Sequence, residues 1–285
     1  SGQGSAVFNS VKNGVCTMSF SNCEFKNHAN SYHYAVDNYG EGGTNQLSFT
    51  SCSFSNNSGG GAIFFNSYNS TNNNTLTLTN CTFSQNGGTN TYYPYGSAVG
   101  IYAQRGKCTT SVSGCSFSKN GGYAFHNDGS YSGQANGTFT NCSFTENYGI
   151  ALYNYGANNG KSNQTVTNCT FSKNGSSNAS AALYNNAASN GEAICSLSGC
   201  TFSENKAGAV YNYENFKGSA RPTFTNCTFS NNSNTQYYGA AVYNNGAGDN
   251  CPIFTDCKFL NNTSTGSGAA VYNFFGYNSS LKNNT

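Results

Sequence analysis

Hydrophobic and polar residues alternate along most of the chain, in short runs that recur about every 30 residues. A clear copy spans residues 76–86 and reads L-T-L-T-N-C-T-F-S-Q-N. Alternation with a period of two is typical of β-strands that have one buried and one exposed face. Recurrence at a nearly fixed period predicts a stacked repeat protein built from strands rather than helices. The Cys-x-Phe core of the repeat occurs nine times, at Cys23/Phe25, Cys52/Phe54, Cys81/Phe83, Cys115/Phe117, Cys142/Phe144, Cys169/Phe171, Cys200/Phe202, Cys227/Phe229 and Cys257/Phe259.

Two more strand-like segments complete each repeat. One precedes the cysteine and carries Thr or Ser on either side of an apolar residue, as expected for a half-buried strand. The other reads Ala, aliphatic, aromatic, Asn, for example at residues 209–212. Segments rich in Asn, Gly, Ser and Tyr join the strands, and these residue types are typical of turns. The apolar positions three residues before the cysteine are Phe20, Phe49, Leu78, Val112, Phe139, Val166, Leu197, Phe224 and Phe254.

Strands this short cannot form a sheet within one repeat, so each must pair with the same strand of the next repeat. The sequence therefore predicts an all-β fold, a single-stranded parallel β-helix with three strands per coil and about nine to ten coils. We expect residues 1–285 to form one repeat domain, or a segment of a longer array.

An asparagine lies five residues after the cysteine in almost every repeat. Such a residue at a fixed corner can hydrogen-bond its counterparts above and below, which predicts an inward amide ladder. Asn also tolerates the left-handed backbone that a sharp corner needs. His28 holds this position in the first repeat and is interpreted as a substitute there. The ladder residues are Asn57, Asn86, Asn120, Asn147, Asn174, Asn205, Asn232 and Asn262.

Two of these motifs carry a resemblance to known proteins. Phe-x-x-Asn ends eight of the nine repeats, and Gly60-Gly61-Ala62-Ile63 and Gly208-Ala209-Val210 provide G-G-A-[ILV]-like elements. Alternation of the two resembles the passenger domains of chlamydial polymorphic outer-membrane proteins and, more broadly, right-handed pectate-lyase-like β-helices. The resemblance implies a right-handed coil and an extracellular or surface-exposed protein. It implies little about activity, because β-helices serve as lyases, adhesins and fibres.

Composition and hydropathy argue against three classes of protein: nucleic-acid-binding, disordered and membrane-spanning. Charged residues are 8% of the chain, the formal net charge is +2, and Lys and Arg are scattered, so no basic stripe for nucleic acid is predicted. An aromatic content of 15% argues against disorder. No run of 18 apolar residues is present, so no membrane-spanning helix is expected. The first residues already follow the repeat and show no signal peptide, so a removed leader and a longer chain both stay open.

Thirteen cysteines are present, nine of them at one repeat position beside a buried apolar residue. We expect a mainly reduced ladder of buried thiols, because free cysteine often behaves as a small hydrophobe. Coils ~4.8 Å apart would bring Cα atoms within disulfide range, but side chains in register point the same way. The odd count leaves at least one thiol unpaired within the chain. The other four, without an evident partner, are Cys16, Cys108, Cys195 and Cys251.

Catalytic chemistry is not predicted. Acid–base catalysis needs positioned carboxylates, His or Lys, yet the ten Asp and Glu form no cluster at matching positions of neighbouring repeats. We therefore predict no catalytic, cofactor or metal site. Arg105 with Lys107, or Lys217 with Arg221, could contact a sugar, although exposed basic residues are more often simply solvated.

The aromatic position is more informative. If the preceding aliphatic residue points inward, alternation directs the neighbouring Ala and the aromatic residue outward. The resulting stripe has two interpretations, which stay open: a ladder that stabilises the sheet, or an interface for a protein or for sugar rings. Its tyrosines are Tyr153, Tyr184, Tyr211, Tyr243 and Tyr272, with Phe8 and Phe64 at the same position earlier in the chain.

Sixteen Asn-x-Ser/Thr sequons occur, somewhat more than the composition alone would give. Those in the inward ladder should not be modified, whereas those just before a cysteine should face outward. In a eukaryotic source we expect N-glycans on several of them. The candidate acceptors are Asn80, Asn141, Asn168, Asn226, Asn56, Asn231, Asn69, Asn136 and Asn163.

These observations predict a non-enzymatic, extracellular or cell-surface structural β-helix, serving as a fibre or filament building block or as an adhesin stalk. The expected partners are the protein itself, through head-to-tail or lateral assembly, or a host or cell-surface protein or glycan. Nucleic acid is not expected as a partner. The alternative is a polysaccharide-binding or polysaccharide-degrading β-helix protein.

Overall fold

Each repeat forms one coil of a β-helix and contributes a short strand to each of three parallel sheets. The computed structural model describes residues 4–29, 33–88, 96–175, 181–235, 239–246 and 252–275, and this part of the chain contains strands and turns but no helix. Within it, sheet A has ten strands, and sheets B and C have nine each. Every strand pairs in parallel with its counterpart in the next coil. The predicted fold class is therefore confirmed.

The strand bounds follow the repeat. Sheet A consists of Val7–Val11, Tyr34–Gly40, Gly61–Asn66, Ser97–Tyr102, Phe125–Asp128, Leu152–Ala157, Leu183–Ala188, Val210–Asn215, Val242–Gly246 and Val271–Phe275. Sheet B consists of Val15–Ser21, Thr44–Thr50, Asn73–Thr79, Lys107–Ser113, Gln134–Thr140, Gln164–Thr167, Cys195–Ser198, Thr223–Thr225 and Ile253–Thr255. Sheet C consists of Glu24–Lys26, Ser53–Ser55, Thr82–Ser84, Ser116–Ser118, Ser143–Thr145, Thr170–Ser172, Thr201–Ser203, Thr228–Ser230 and Lys258–Leu260. A small extra pair joins Ser233–Asn234 and Thr263–Ser264. We number the coils 1 to 9 by the successive strands of sheet C.

The phenylalanines of sheet C form one continuous column inside the helix. Phe83 pairs with Phe117 in register, and their ring centroids lie 4.7 Å apart with an interplanar angle of 4°. Phenylalanines of sheet B meet this column edge-on, as Phe49 meets Phe54 at 5.2 Å and 77°. Stacked and edge-to-face contacts are the favoured arrangements of aromatic rings. The whole column consists of Phe25, Phe54, Phe83, Phe117, Phe144, Phe171, Phe202, Phe229 and Phe259.

The column belongs to the core and offers no surface for a ligand or a partner. Phe171, Phe202 and Phe229 have no exposed surface and pack in the main hydrophobic cluster. The Phe171 ring lies 4.7 Å from that of Phe202, which in turn lies 5.1 Å from that of Phe229. Although the sequence marks these residues as repeat positions, their role in the structure is to link coils, so they are not part of a functional surface site. Phe54, Phe83, Phe117 and Phe144 are equally buried, and only the terminal Phe25 and Phe259 are partly exposed.

The alanine before each strand of sheet A is buried, which corrects the outward position expected from alternation. Ala151, Ala182 and Ala209 have no exposed surface and pack in the main hydrophobic cluster. Each lies at the bend where the chain leaves sheet C, one residue before the strand begins, so the strand alternation does not extend to it. A methyl group fits the inside of this corner.

The predicted asparagine ladder is present. Asn147 donates from Nδ2 to Oδ1 of Asn174 (2.9 Å) and to the carbonyl oxygen of Phe117 (3.0 Å), while its own Oδ1 accepts from the backbone N and Nδ2 of Asn120. Every polar atom of such an amide is thereby paired in the interior, where an unpaired one would be costly. The same amide-to-amide contact links Asn57, Asn86, Asn120, Asn147, Asn174, Asn205, Asn232 and Asn262 in turn.

The left-handed backbone lies one residue before the ladder asparagine, which corrects the expected position. Lys119 and Glu146 precede Asn120 and Asn147 and have φ of 54° and 55°. A left-handed residue reverses the chain with its own side chain outward, so the following amide can point inward.

His28 takes the first-coil position of this ladder through its backbone rather than its ring. Its backbone N donates to Oδ1 of Asn57 (3.1 Å), which is the bond that a ladder asparagine makes with its own backbone N. Partial burial lowers the pKa of the ring. His28 therefore replaces a ladder asparagine in the backbone hydrogen bond, as the sequence suggested. The hydrogen bonds between side-chain amides begin at Asn57.

A second inward asparagine ladder, which was not predicted from the sequence, runs along sheet A. Asn154 donates to Asn185 (2.8 Å), Asn185 to Asn212 (2.8 Å) and Asn212 to Asn244 (2.7 Å). The signal was the fourth residue of the Ala-aliphatic-aromatic-Asn motif, which alternation places inward. In coils 3 and 4 the position is taken by Phe65 and Ile101, which interrupt the ladder.

Candidate functional site

The outer face of sheet A carries the predicted aromatic stripe. Tyr153, Tyr184, Tyr211, Tyr243 and Tyr272 pair in register and form its continuous part. We call the whole line of outward residues at this position the first column. The stripe is continuous only from coil 6 onward. In coils 1 to 5 the first column contains Phe8, Asp37, Phe64, Gly100 and His126.

A parallel second column lies two residues further along each strand of sheet A and was not recognised in the sequence. It includes four tyrosines, which alternate along the helix with shorter polar side chains. The spacing of two residues after the first column was the available signal, because such residues share a face of the sheet. From coil 2 to coil 9 its members are Tyr39, Asn66, Tyr102, Asp128, Tyr155, Asn186, Tyr213 and Asn245.

The first-column tyrosines cover one another's ring faces. Tyr211 lies 4.7 Å from Tyr184 at 12° and 4.8 Å from Tyr243 at 2°. Amides of the second column hold two of the hydroxyl groups, since Asn186 donates to the Tyr153 Oη (2.9 Å) and Asn245 to the Tyr211 Oη (3.0 Å). Burial raises the pKa of Tyr153. This geometry favours a stabilising ladder and leaves mainly ring edges for a partner.

Tight turns at the end of the sheet A strands present aromatic rings differently. Gly133 donates its backbone N–H to the carbonyl of Ser130 (3.1 Å), and the two residues between them, Tyr131 and Ser132, have φ of 54° and 62°. Positive φ at both central residues defines a type I′ turn. The turn at residues 215–218 is the same, with Phe216 in the place of Tyr131. Side chains at these tips project from the rod, and Tyr131 is 48% exposed.

An open groove of about 430 Å³ lies between the second column and these turns, at coils 4 to 7. Four tyrosines and three uncharged polar side chains line it. We call it the tyrosine groove, and its lining residues are Gln104, Tyr123, Ser130, Tyr131, Tyr153, Tyr155 and Asn186.

Polar contacts fix the lining of the tyrosine groove. The fully buried Asp128 accepts from Nε2 of Gln104 (2.7 Å) and from the backbone N of Ser130 (2.8 Å). Two lining atoms, Oγ of Ser130 and Oδ1 of Asn186, are buried without a hydrogen-bond partner among the described residues.

Arg105 lies at the rim of the tyrosine groove. Its guanidinium carbon is 5.9 Å from the centre of the Tyr131 ring, and its Nη1 donates to the Tyr68 Oη (3.3 Å). The sequence had singled out Arg105 as a possible sugar contact but not these aromatic partners. The structure therefore places Arg105 beside the groove, where its guanidinium group contacts the Tyr131 ring and the Tyr68 hydroxyl.

Other titratable groups form small, separate contacts. Lys161 and Glu192 (3.0 Å) and Lys119 and Glu146 (3.6 Å) pair on the surface, where such bridges contribute little stability. His126 is fully buried in the first column, and burial lowers its pKa to about 4. Within the described ranges no three His, Cys, Asp or Glu side chains are grouped so that they could hold a metal ion.

Most of the candidate glycosylation acceptors lie on the surface. Exposed at left-handed corners or turns are Asn56, Asn69, Asn80, Asn141, Asn168, Asn226 and Asn231. Asn136 and Asn163 are half-buried. Glycosylation itself stays a prediction.

All of the described cysteines are free thiols, and the nine at the repeat position form the predicted ladder. Cys251 lies outside the described residues. The Sγ atom of Cys169 accepts the backbone N–H of Cys142 (3.3 Å) and donates to the carbonyl oxygen of Thr167 (3.3 Å). Burial raises the pKa of Cys108 to about 12. A thiol that stays protonated is a poor nucleophile. The buried members of the repeat position are Cys52, Cys81, Cys115, Cys142, Cys169, Cys200 and Cys227.

We expect the native protein to resist alkylation by iodoacetamide at pH 8, because most of the repeat-position thiols are buried out of reach of the reagent. Intact mass should show slow labelling, beginning at the half-buried Cys16, Cys23 and Cys257. In urea without reductant, all thirteen thiols should react. Labelling in urea that becomes complete only after reduction would instead demonstrate disulfides between coils.

No candidate membrane-spanning helix is found among the described residues. No curated protein and no solved structure matches the chain significantly. A family model described as a right handed beta helix region matches residues 3–191, more than half of the chain. Together with the three parallel sheets, this match shows that the chain belongs to the right-handed β-helix family.

Proposed function

We propose that this protein is a non-enzymatic structural β-helix, exposed outside the cell or on its surface, where it acts as a stiff stalk or fibre element. The observation that carries the proposal is the unbroken phenylalanine column and asparagine ladder, which link each coil to the next from coil 2 to coil 9. In a solenoid, stability is largely a sum of such contacts between neighbours. These interior ladders suit a rod that keeps its shape over its whole length.

The surface location rests on the resemblance of the Phe-x-x-Asn and G-G-A-[ILV]-like motifs to chlamydial passenger domains and pectate-lyase-like β-helices. The exposed corner sequons and the low content of charged residues agree with it. The paired surface charges and the buried His126 favour a structural role over acid–base catalysis, because His126 has a strongly lowered pKa and no accessible ring.

Small-angle scattering and enzyme assays on the purified chain test the proposal. Nine coils at ~4.8 Å each should give a rod about 43 Å long, and sedimentation over a concentration series should detect any head-to-tail or lateral assembly. Incubation with polygalacturonate and alginate should release no unsaturated product that absorbs in the ultraviolet. Steady release of product would overturn the structural role in favour of polysaccharide degradation.

Labelling of intact source cells with an antibody against the chain tests the location. Surface labelling without permeabilisation is expected, and labelling only after permeabilisation would contradict it.

A further inference from the structure

We infer that the tyrosine groove is a binding site for a short neutral oligosaccharide. This adds a ligand to the proposed structural role without depending on it. Its volume of about 430 Å³ lies within the range of small-molecule sites, roughly 300–1,000 Å³.

The aromatic lining supplies surfaces for the apolar faces of pyranose rings. Tyr131 is the critical ring, because it projects from a turn tip and is about half exposed. The first-column rings stack on one another and cannot offer both faces. Tyr155 extends the lining at the side of the second column. Amphipathic aromatic side chains in a concave site are suited to ligands with both apolar faces and polar edges.

The polar lining supplies hydrogen-bonding groups that the described residues leave unused. Ser130 is fully buried, and its Oγ has no partner among those residues, so it can donate to a sugar oxygen. Oδ1 of Asn186 also has no partner among the described residues and can accept a hydrogen bond from a sugar hydroxyl. Nδ2 of the same side chain donates to the Tyr153 Oη. Buried polar atoms without partners are uncommon, and a ligand that pairs them recovers their lost hydration.

The charges favour a neutral ligand over an acidic one. All of the lining side chains are uncharged at neutral pH. The carboxylate of Asp128 lies behind the lining, where it holds Gln104 and the Ser130 backbone, and it would oppose a uronate in the groove. Arg105, the cation at the rim, is already engaged with Tyr68 and Tyr131.

Titration of the full chain with cellohexaose, xylohexaose, maltohexaose and chitohexaose tests the inference, with hexagalacturonate as the acidic comparison. The chain has 21 tyrosines and no tryptophan, so tyrosine emission is available as a signal, and calorimetry provides the affinity. At least one neutral oligosaccharide should bind at sub-millimolar to millimolar concentration and more tightly than hexagalacturonate.

Two variants locate the site. Tyr131→Asn keeps a residue type that tolerates the left-handed turn and should weaken binding roughly tenfold. The matched control Phe216→Asn changes the equivalent turn tip outside the groove and should leave affinity unchanged. Ser130→Ala removes a buried hydroxyl that has no partner in the described chain, so it should weaken binding while the melting temperature stays the same or rises.

Absence of binding to all four neutral probes at about 10 mM, roughly ten times the weakest expected Kd, would overturn the inference. Equal affinity in Tyr131→Asn and the parent chain, or preference for hexagalacturonate, would do so too. Each of these results leaves the rod dimensions and the depolymerisation assay unaffected, so failure of the site and failure of the structural role are distinguishable.

Discussion

Replacing Asn147 by alanine should destabilise the protein by about 3–5 kcal/mol, because the change removes one amide from the middle of a buried ladder. The variant would leave the backbone N–H of Asn120 without its acceptor. It would also remove one donor from the Phe117 carbonyl and one from Asn174 Oδ1, which keeps only the backbone N–H of residue 147. Each unpaired buried group costs about 1–3 kcal/mol, and the Asn147 side chain is buried. Urea unfolding followed by circular dichroism measures the loss of free energy.

Thr138→Ala is the matched control, since Thr138 is an exposed residue of sheet B in the same coil. It should change the free energy of unfolding by less than about 1 kcal/mol. If the two variants were equally stable, the ladder could not be the main link between coils.

The variant Asn147→Asp tests the direction in which stability changes with pH. An uncompensated buried carboxylate has a raised pKa, so the folded state binds its proton more tightly than the unfolded chain does. The stability conferred by the protonated acid is then fully present below about pH 4, the unfolded value, and is lost as the pH rises through the folded pKa. We expect this variant to be closer to the parent protein at about pH 4 than at about pH 7.

The sequence predicted the parts of this fold that recur in every coil. The Cys-x-Phe core, the apolar residue three positions earlier and Asn57 with its counterparts all lie where alternation and period placed them. These positions are constrained in every coil in the same way, because each must fill the same interior or pair the same corner. Nine copies therefore make the pattern visible in a single sequence.

The features that were missed depend on geometry at a corner rather than on a repeated residue type. Whether Lys119 or Asn120 adopts the left-handed conformation is decided by which side chain must point inward, and alternation does not continue through the bend at Ala209. Both sites lie where the chain passes from one sheet to the next.

The tyrosine groove was out of reach of the sequence for a different reason. Its lining residues extend from Gln104 to Asn186 and belong to coils 4 to 7. Loops of unequal length separate these coils, so the lateral alignment of Ser130 with Asn186 cannot be counted along the chain. The tyrosine stripe itself could be predicted, whereas its second column and the turn-tip Tyr131 that give the groove its shape could not.

Replacing Phe117 by alanine should also cost about 3–5 kcal/mol, because it opens a cavity in the closely packed column. The ring has no exposed surface and is stacked between Phe83 at 4.7 Å and Phe144 at 4.8 Å, with the edge of Phe125 at 5.9 Å. The neighbouring rings cannot collapse into the gap, since the backbone ladders of sheet C fix their spacing.

The position of the cavity should matter as well as its size. The half-buried Phe25 has a stacking neighbour of sheet C in the described chain only on the Phe54 side, so Phe25→Ala should cost less than half as much. Because coils are stabilised mainly by their neighbours, a central cavity should also divide unfolding into two less cooperative steps. Urea curves should then show a lower slope for Phe117→Ala than for Phe25→Ala. Equal losses with equal slopes would mean that the coils do not depend on one another through the phenylalanine column.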